Sequence, residues 1–115
     1  MEQNLEIAFL SLKGKALIEN RKKVQASYGA LSAKKLYARL DDIQAASCME
    51  DLRLSPGKWE ELKHERKGQF AVRLAGGYRL IVIPQKQPPP VKSDGGLDWK
   101  AIDGLIYIEI EDYHE

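Results

Sequence analysis

The chain has a single cysteine, Cys48, among its 115 residues. An internal disulfide is thereby excluded, as is a metal site built on several cysteines. Cys48 follows Ala45, Ala46 and Ser47 near a predicted helix end, where it reads as a small half-buried side chain. Histidine is almost as scarce: His64 and His114 are the only two, and neither belongs to an HxxxH, HxxE or DxD-type arrangement. Metal sites are therefore not expected. Glycine-rich loops of the dinucleotide or P-loop kind are absent. No apolar run approaches the roughly 20 residues that span a bilayer, and no basic segment with a following apolar run opens the chain. Neither a membrane span nor a signal peptide is expected, and a cytoplasmic protein is the simplest reading. An excess of one charge is missing too, since 18 Lys and Arg stand against 17 Asp and Glu. Whole-molecule electrostatics thus does not demand a nucleic-acid partner.

What is present is a chain long enough for one domain, residues 1–115, with a modest core. Its charge is unevenly placed. Residues 58–79 hold Lys58, Lys63, Arg66, Lys67, Arg73 and Arg79 against Glu60, Glu61 and Glu65. After Lys100 come Asp103, Glu109, Glu111, Asp112 and Glu115 and no further Lys or Arg. A locally basic patch of this kind can bind phosphate even on a near-neutral protein.

The hydrophobic period changes along the chain. Leu5, Ile7 and Phe9 alternate with polar or small residues, which predicts a short half-buried strand. Ser11 suits the N-cap of a helix through Leu12, Ala16 and Leu17 toward Arg21–Val24. After a break at Tyr28-Gly29, Ser32 is expected to open a second helix. Its apolar stripe is Ala33, Leu36, Leu40, Ile43 and Ser47, with Lys34, Lys35, Arg39, Asp41 and Asp42 off the stripe. Ser55-Pro56-Gly57 is turn chemistry, and from there the period is two. A short strand is expected in 58–63. Phe70, Val72 and Leu74 alternate with Ala71 and Arg73, so Arg73 leaves the sheet away from the core. Ala75-Gly76-Gly77 is a tight turn, and Tyr78–Ile83 reads as a central strand ended by Pro84. Residues 85–100, with Pro88-Pro89-Pro90 and Asp94-Gly95-Gly96, read as an exposed Pro/Gly-rich loop whose end is docked by Trp99. In the last strand Ile106, Ile108 and Ile110 would share one face, and Leu105, Tyr107, Glu109 and Glu111 the other, continued by Tyr113. The expected class is α+β: an N-terminal strand, a two-helix hairpin, then a three- to four-stranded antiparallel sheet.

The chemistry-bearing residues suit a phosphodiester. Metal-free RNA cleavage needs a base for the 2′-hydroxyl, a cation for the phosphate, an acid for the leaving 5′-oxygen and groups that hold the backbone in line. Lys63, Arg66, Lys67, Arg73, Arg79, Tyr113 and His114 together offer these. Arg79 stands in a run that otherwise asks for burial, where a charge is costly unless it points outward or is paired. Two readings stay open for it: a phosphate clamp, or an ion pair with Glu109 or Glu111 across the sheet. His114 directly follows an apolar strand and titrates near neutrality. His64 lies in the basic loop, where contact with RNA or with solvent are both open. Glu60 and Glu61 are candidate carboxylate bases that the spacing does not separate.

At these residues the chain resembles the HigB branch of the RelE/ParE superfamily, the toxins of bacterial type II toxin–antitoxin pairs. The matching pieces are Ser55-Pro56-Gly57, then Leu62-Lys63 with Arg66 and Gly68-Gln69, then Tyr78-Arg79-Leu80, and Glu111-Asp112-Tyr113-His114. They cover residues 55–84 and 105–114. The resemblance implies a compact microbial-ribonuclease-like fold and ribosome-dependent endonucleolytic cleavage of mRNA, with no cofactor. It implies a HigA-like helix-turn-helix antitoxin that inhibits the toxin, with operator DNA contacted only through that complex. Carried over by position, Lys63, Arg79 and His114 are the catalytic set. Tyr113 lies beside them, and Arg66, Lys67, Arg73 and His64 are RNA-positioning groups. The chain departs from the pattern at Glu60, where many members have histidine, which makes Glu60 a candidate base. It departs again at His64, where the family has glycine, and in the long 85–100 segment. Two other activities remain open for such a chain: gyrase poisoning of the ParE kind, and a catalytically weak co-repressor that only binds its antitoxin.

Overall fold

The computed structural model describes residues 4–113. Strand β1 (Glu6–Phe9) leads into three helices, α1 (Leu12–Glu19), α2 (Arg21–Tyr28) and α3 (Ala30–Ala45). Strands β2 (Glu60–Glu61), β3 (Phe70–Arg73), β4 (Tyr78–Pro84) and β5 (Gly104–Asp112) follow. They form one five-stranded sheet in the order β1-β5-β4-β3-β2. The pairs are antiparallel except β1–β5, which is parallel. This is the expected α+β class, with one helix more than the periodicity suggested and the N-terminal strand added to the same sheet. None of the helices of the described residues is long and apolar enough to cross a membrane.

The extra helix comes from Asn20. The sequence pattern ran one helix across it, but the Asn20 N–H closes α1 on the Leu17 carbonyl, while its Oδ1 accepts the Lys23 N–H at 3.1 Å and so caps α2. Asparagine competes with the helix for backbone bonds, and a cap resolves that competition. Ser11 caps α1 as expected, accepting the Gly14 N–H at 3.0 Å.

Helix α3 starts at Ala30, so Ser32 does not open it but lies inside it, buried. Its hydroxyl donates to the Ala75 carbonyl at 2.8 Å and accepts the Ala75 N–H at 3.2 Å. A helix side chain thus satisfies both polar groups of a residue in the β3–β4 turn. Arg39 also departs from its expected place off the apolar stripe, since it is 9% exposed. Its aliphatic stem lies over Gly57, and its Nε donates to the Arg73 carbonyl at 3.4 Å. Gly57 has φ +100°, and a side chain on it would run into Val72 and Arg39. The Ser55-Pro56-Gly57 turn therefore needs glycine for both conformation and space.

The core lies between the helices and one sheet face, built from Val24, Leu36 and Ile43 against Phe70, Val72, Leu80, Val82, Leu105, Tyr107 and Ile110. Strand β5 holds the fold's main irregularity. Ile81 pairs with Glu109 but Val82 pairs with Tyr107, so Ile108 is an extra residue, a β-bulge. The bulge reverses the alternation. Leu105 and Tyr107 join Ile110 on the core side, while Glu109 is exposed on the other. Unbroken alternation would keep Leu105, Tyr107, Glu109 and Glu111 on a single face. Strict alternation fails here because one unpaired residue changes the side of everything beyond it.

Residues 85–100 fold back as a loop with a Val91–Leu97 bridge. Leu97 and Trp99 are buried, and the Trp99 ring meets Phe70 edge-on at 4.9 Å. Glu61 holds the loop: its carboxylate accepts the Trp99 Nε1–H at 3.0 Å and the Leu97 N–H at 3.1 Å.

Candidate active site

The strand registers assemble the site. Arg73 pairs with Arg79 across β3–β4, and Arg79 pairs with Glu111 across β4–β5. The next row on the same face runs Glu60, Ala71, Ile81, Glu109. Directly paired residues share a face, as do residues two apart on one strand. The face opposite the helices thus carries Arg73, Arg79, Glu111, Glu60 and Glu109 around two fully buried apolar residues, Ala71 and Ile81. Glu60 and its neighbour Glu61 point to opposite faces. This separates the two carboxylates that the spacing left equivalent: Glu61 anchors the 85–100 loop, and Glu60, the one the motif resemblance singles out, lies on the face of Arg79.

The segment between β2 and β3 closes one side. A 3₁₀ turn at His64–Arg66 is held by the Arg66 N–H on the Lys63 carbonyl and the Lys67 N–H on the His64 carbonyl. His64 has φ 58°. That is the left-handed region in which glycine is at ease, and it is the position where the resembled pattern has glycine. A cavity of about 280 Å³ is lined by Leu62, Lys63, His64, Glu65, Arg66, Arg79 and Glu111. Lys63 and His64 are exposed on its rim.

Arg79 is the cation at its floor, with its side chain 18% exposed. Its Nε donates to Glu111 Oε2 at 2.5 Å, and Nη1 lies 3.9 Å from Glu60 Oε1. Its guanidinium sits over the Tyr113 ring, 4.9 Å from the centroid. The cross-sheet ion pair is therefore formed, with Glu111 as the partner. Tyr113 is fixed by its N–H on the Gly77 carbonyl at 3.0 Å, which ties the end of β5 to the β3–β4 turn.

Arg66 is bound differently. Its Nη1 donates to Gln69 Oε1 at 2.7 Å, its Nη2 to Glu109 at 3.2 Å, and its Nε to Glu111 Oε1 at 3.2 Å. All three nitrogens are engaged by protein carboxylates or amides. Among the sequence-selected residues, then, Lys63, His64, Arg66, Arg79, Glu60 and Tyr113 converge, and Arg73 lies beside Arg79 on the same face. Lys67 is exposed and outside the cavity lining. His114 lies outside the described residues. The residues that sequence reasoning did not assign to the site are Glu109, Glu111 and Gln69. The acidic tail gave a signal for the first two, but only the bulge at Ile108 shows which way they point.

No family model and no curated protein matches this sequence. Among solved structures the chain is similar to one in the YoeB–YefM complex from Staphylococcus aureus, at 20% identity and a TM-score of 0.53. The match covers 97% of this chain and 99% of that one. The two chains share one fold. The likeness extends over nearly their whole lengths.

Proposed function

We propose that this protein is the toxin of a type II toxin–antitoxin pair, and that it acts as a metal-independent endoribonuclease on mRNA engaged by the ribosome. The observation that carries this reading is the Arg79 guanidinium, set between Glu111 and Tyr113 with Lys63 and His64 on the rim and Glu60 within 4 Å. A phosphodiester over the cavity would meet a guanidinium whose fork matches its oxygens. Glu60 takes the 2′-hydroxyl proton, and the 2′-oxygen attacks phosphorus. The bond to the 5′-oxygen breaks, leaving a 2′,3′-cyclic phosphate, and an acid protonates the departing oxygen. The motif resemblance assigns that acid to His114. Lys63 and Arg79 neutralise the charge that builds on the phosphate. His64 on the rim, with Lys67 and Arg73 outside the cavity lining, would take the flanking backbone, which is the usual sequence-independent source of affinity.

The partner on this reading is an antitoxin protein. The Leu62–Gln69, Tyr78–Leu80 and Glu111–His114 motifs favour the helix-turn-helix kind of the HigB branch. The fold likeness, in turn, is to a chain from a complex with a YefM partner. The test is induction in cells with 5′-end mapping of mRNA. Wild type arrests growth and generates new 5′ ends within translated messages, whereas Arg79→Ala loses both, with cleavage down at least about 100-fold. Normal toxicity from Arg79→Ala, or DNA damage response in place of mRNA cuts, rejects the reading.

A further inference from the structure

We propose that Glu111 and Arg66 are positioning residues that aim Arg79 at the phosphate, and that Arg66, despite its place in the basic loop, is not itself a phosphate ligand. The inference rests on the ribonuclease reading for the identity of the bound phosphate, but its structural part stands apart from whether the chain cuts RNA.

The two arginines differ in which edge is hydrogen-bonded. The Glu111 carboxylate bridges them, Oε1 to Arg66 and Oε2 to the Arg79 Nε. Arg66 has spent its other edge on Gln69 and Glu109. An incoming phosphate would have to break those bonds to reach it. Arg79 is hydrogen-bonded through its Nε. Among the described residues no hydrogen bond reaches its Nη atoms, and the nearest carboxylate, Glu60, is 3.9 Å from Nη1. Its guanidinium also lies over the Tyr113 ring. The result is a relay: Gln69 and Glu109 fix Arg66, Arg66 fixes Glu111, and Glu111 fixes Arg79 with no hydrogen bond on its Nη atoms among the described residues.

A guanidinium on a flexible stem loses rotamer freedom on binding phosphate, and a side-on carboxylate removes that cost beforehand. The carboxylate also offsets the repulsion between two neighbouring cations. The network joins the 62–69 segment to the end of β5, so the geometry of Arg79 depends on two distant pieces of chain being in place.

The experiment uses the full chain, a 2′-O-methyl oligonucleotide that cannot be cut, and programmed ribosomes. For Glu111→Gln and Arg66→Ala the expected result is a kcat lower by about tenfold or more, with KM within about threefold, because a misaimed cation costs transition-state rather than ground-state binding. Arg79→Ala should lower the salt-dependence slope of oligonucleotide binding by about one, and Arg66→Ala should leave it unchanged, since only the former removes a phosphate contact. The Arg79 Nε–Hε NMR signal, protected from exchange in wild type, should be lost in Glu111→Gln and Arg66→Ala with folding confirmed by thermal melting. An Arg66→Ala slope that falls like that of Arg79→Ala overturns the inference. So does tighter oligonucleotide binding with undiminished cleavage in Glu111→Gln, which would make Glu111 a competitor of phosphate. If wild type cuts no RNA, the proposed function fails, and the salt slopes and the Nε signal still decide the positioning roles.

Discussion

The two faces of the central sheet are built from the same strands yet obey different rules. On the helix side, Phe70, Leu80, Val82 and Tyr107 pack into an apolar core, and among the described residues Arg39 is the charged side chain buried beside it. On the other side, Arg79 and Glu111 stand over buried Ala71 and Ile81 and meet one another as ion pairs. Adjacent residues of β4 alternate between the two environments, so one strand both stabilises the fold and carries the candidate chemistry. The comparison teaches that stability and activity should be separable by the parity of a residue number within β4, and that this parity is inverted within β5 by the bulge at Ile108.

Substitutions can break or sharpen that contrast. The largest effect is expected on the core side: Phe70→Ala, at a fully buried ring that also supports Trp99, should cost about 3–5 kcal/mol in urea unfolding. Gly57→Ala comes next, at about 3 kcal/mol by the same measurement, since it adds overpacking against Val72 and Arg39 to a positive φ. On the charged face, Arg79→Ala should leave unfolding within about 1 kcal/mol while removing cleavage, because a partly exposed ion pair contributes little to stability. A loss of stability as large as that of Phe70→Ala would erase the distinction between the faces. Ser32→Ala should cost about 1–2 kcal/mol, from the two bonds it makes to Ala75.

The smallest effect concerns pH. Burial, with the nearby Tyr28 phenol adding to it, pushes the Tyr107 phenol up to about 12. Its folded-state pKa lies above the unfolded value near 10, so the stabilisation is present below about pH 10 and is lost as pH rises toward 12. Melting temperature measured across that window should fall less steeply in Tyr107→Phe than in wild type. An equal fall would show that Tyr107 is not the group responsible.

Much of the architecture was legible in the sequence. The α+β order, the β3–β4 hairpin, the docking role of Trp99 and the outward direction of Arg73 follow from period, turn residues and the placement of aromatic groups. These are local properties, carried by residues a few positions apart. The split at Asn20 was missed because a capping residue inside an amphipathic pattern looks like one more polar position. The burial of Ser32 and Arg39 was missed because their partners, Ala75 and Arg73, are more than 30 residues away.

The candidate site divides in the same way. Residue types pointed to Arg79 and the basic loop with Lys63, and the motif resemblance added Glu60. Tertiary structure alone decided that Glu60 and Glu61 lie on opposite faces, that Arg66 donates to Gln69, Glu109 and Glu111 while Arg79 is hydrogen-bonded through its Nε among the described residues, and that Glu109 and Glu111 face them. The physical reason is that a charge takes its role from its partner. The partners here are brought together by strand register and by a single bulge, neither of which is written in the order of nearby residues.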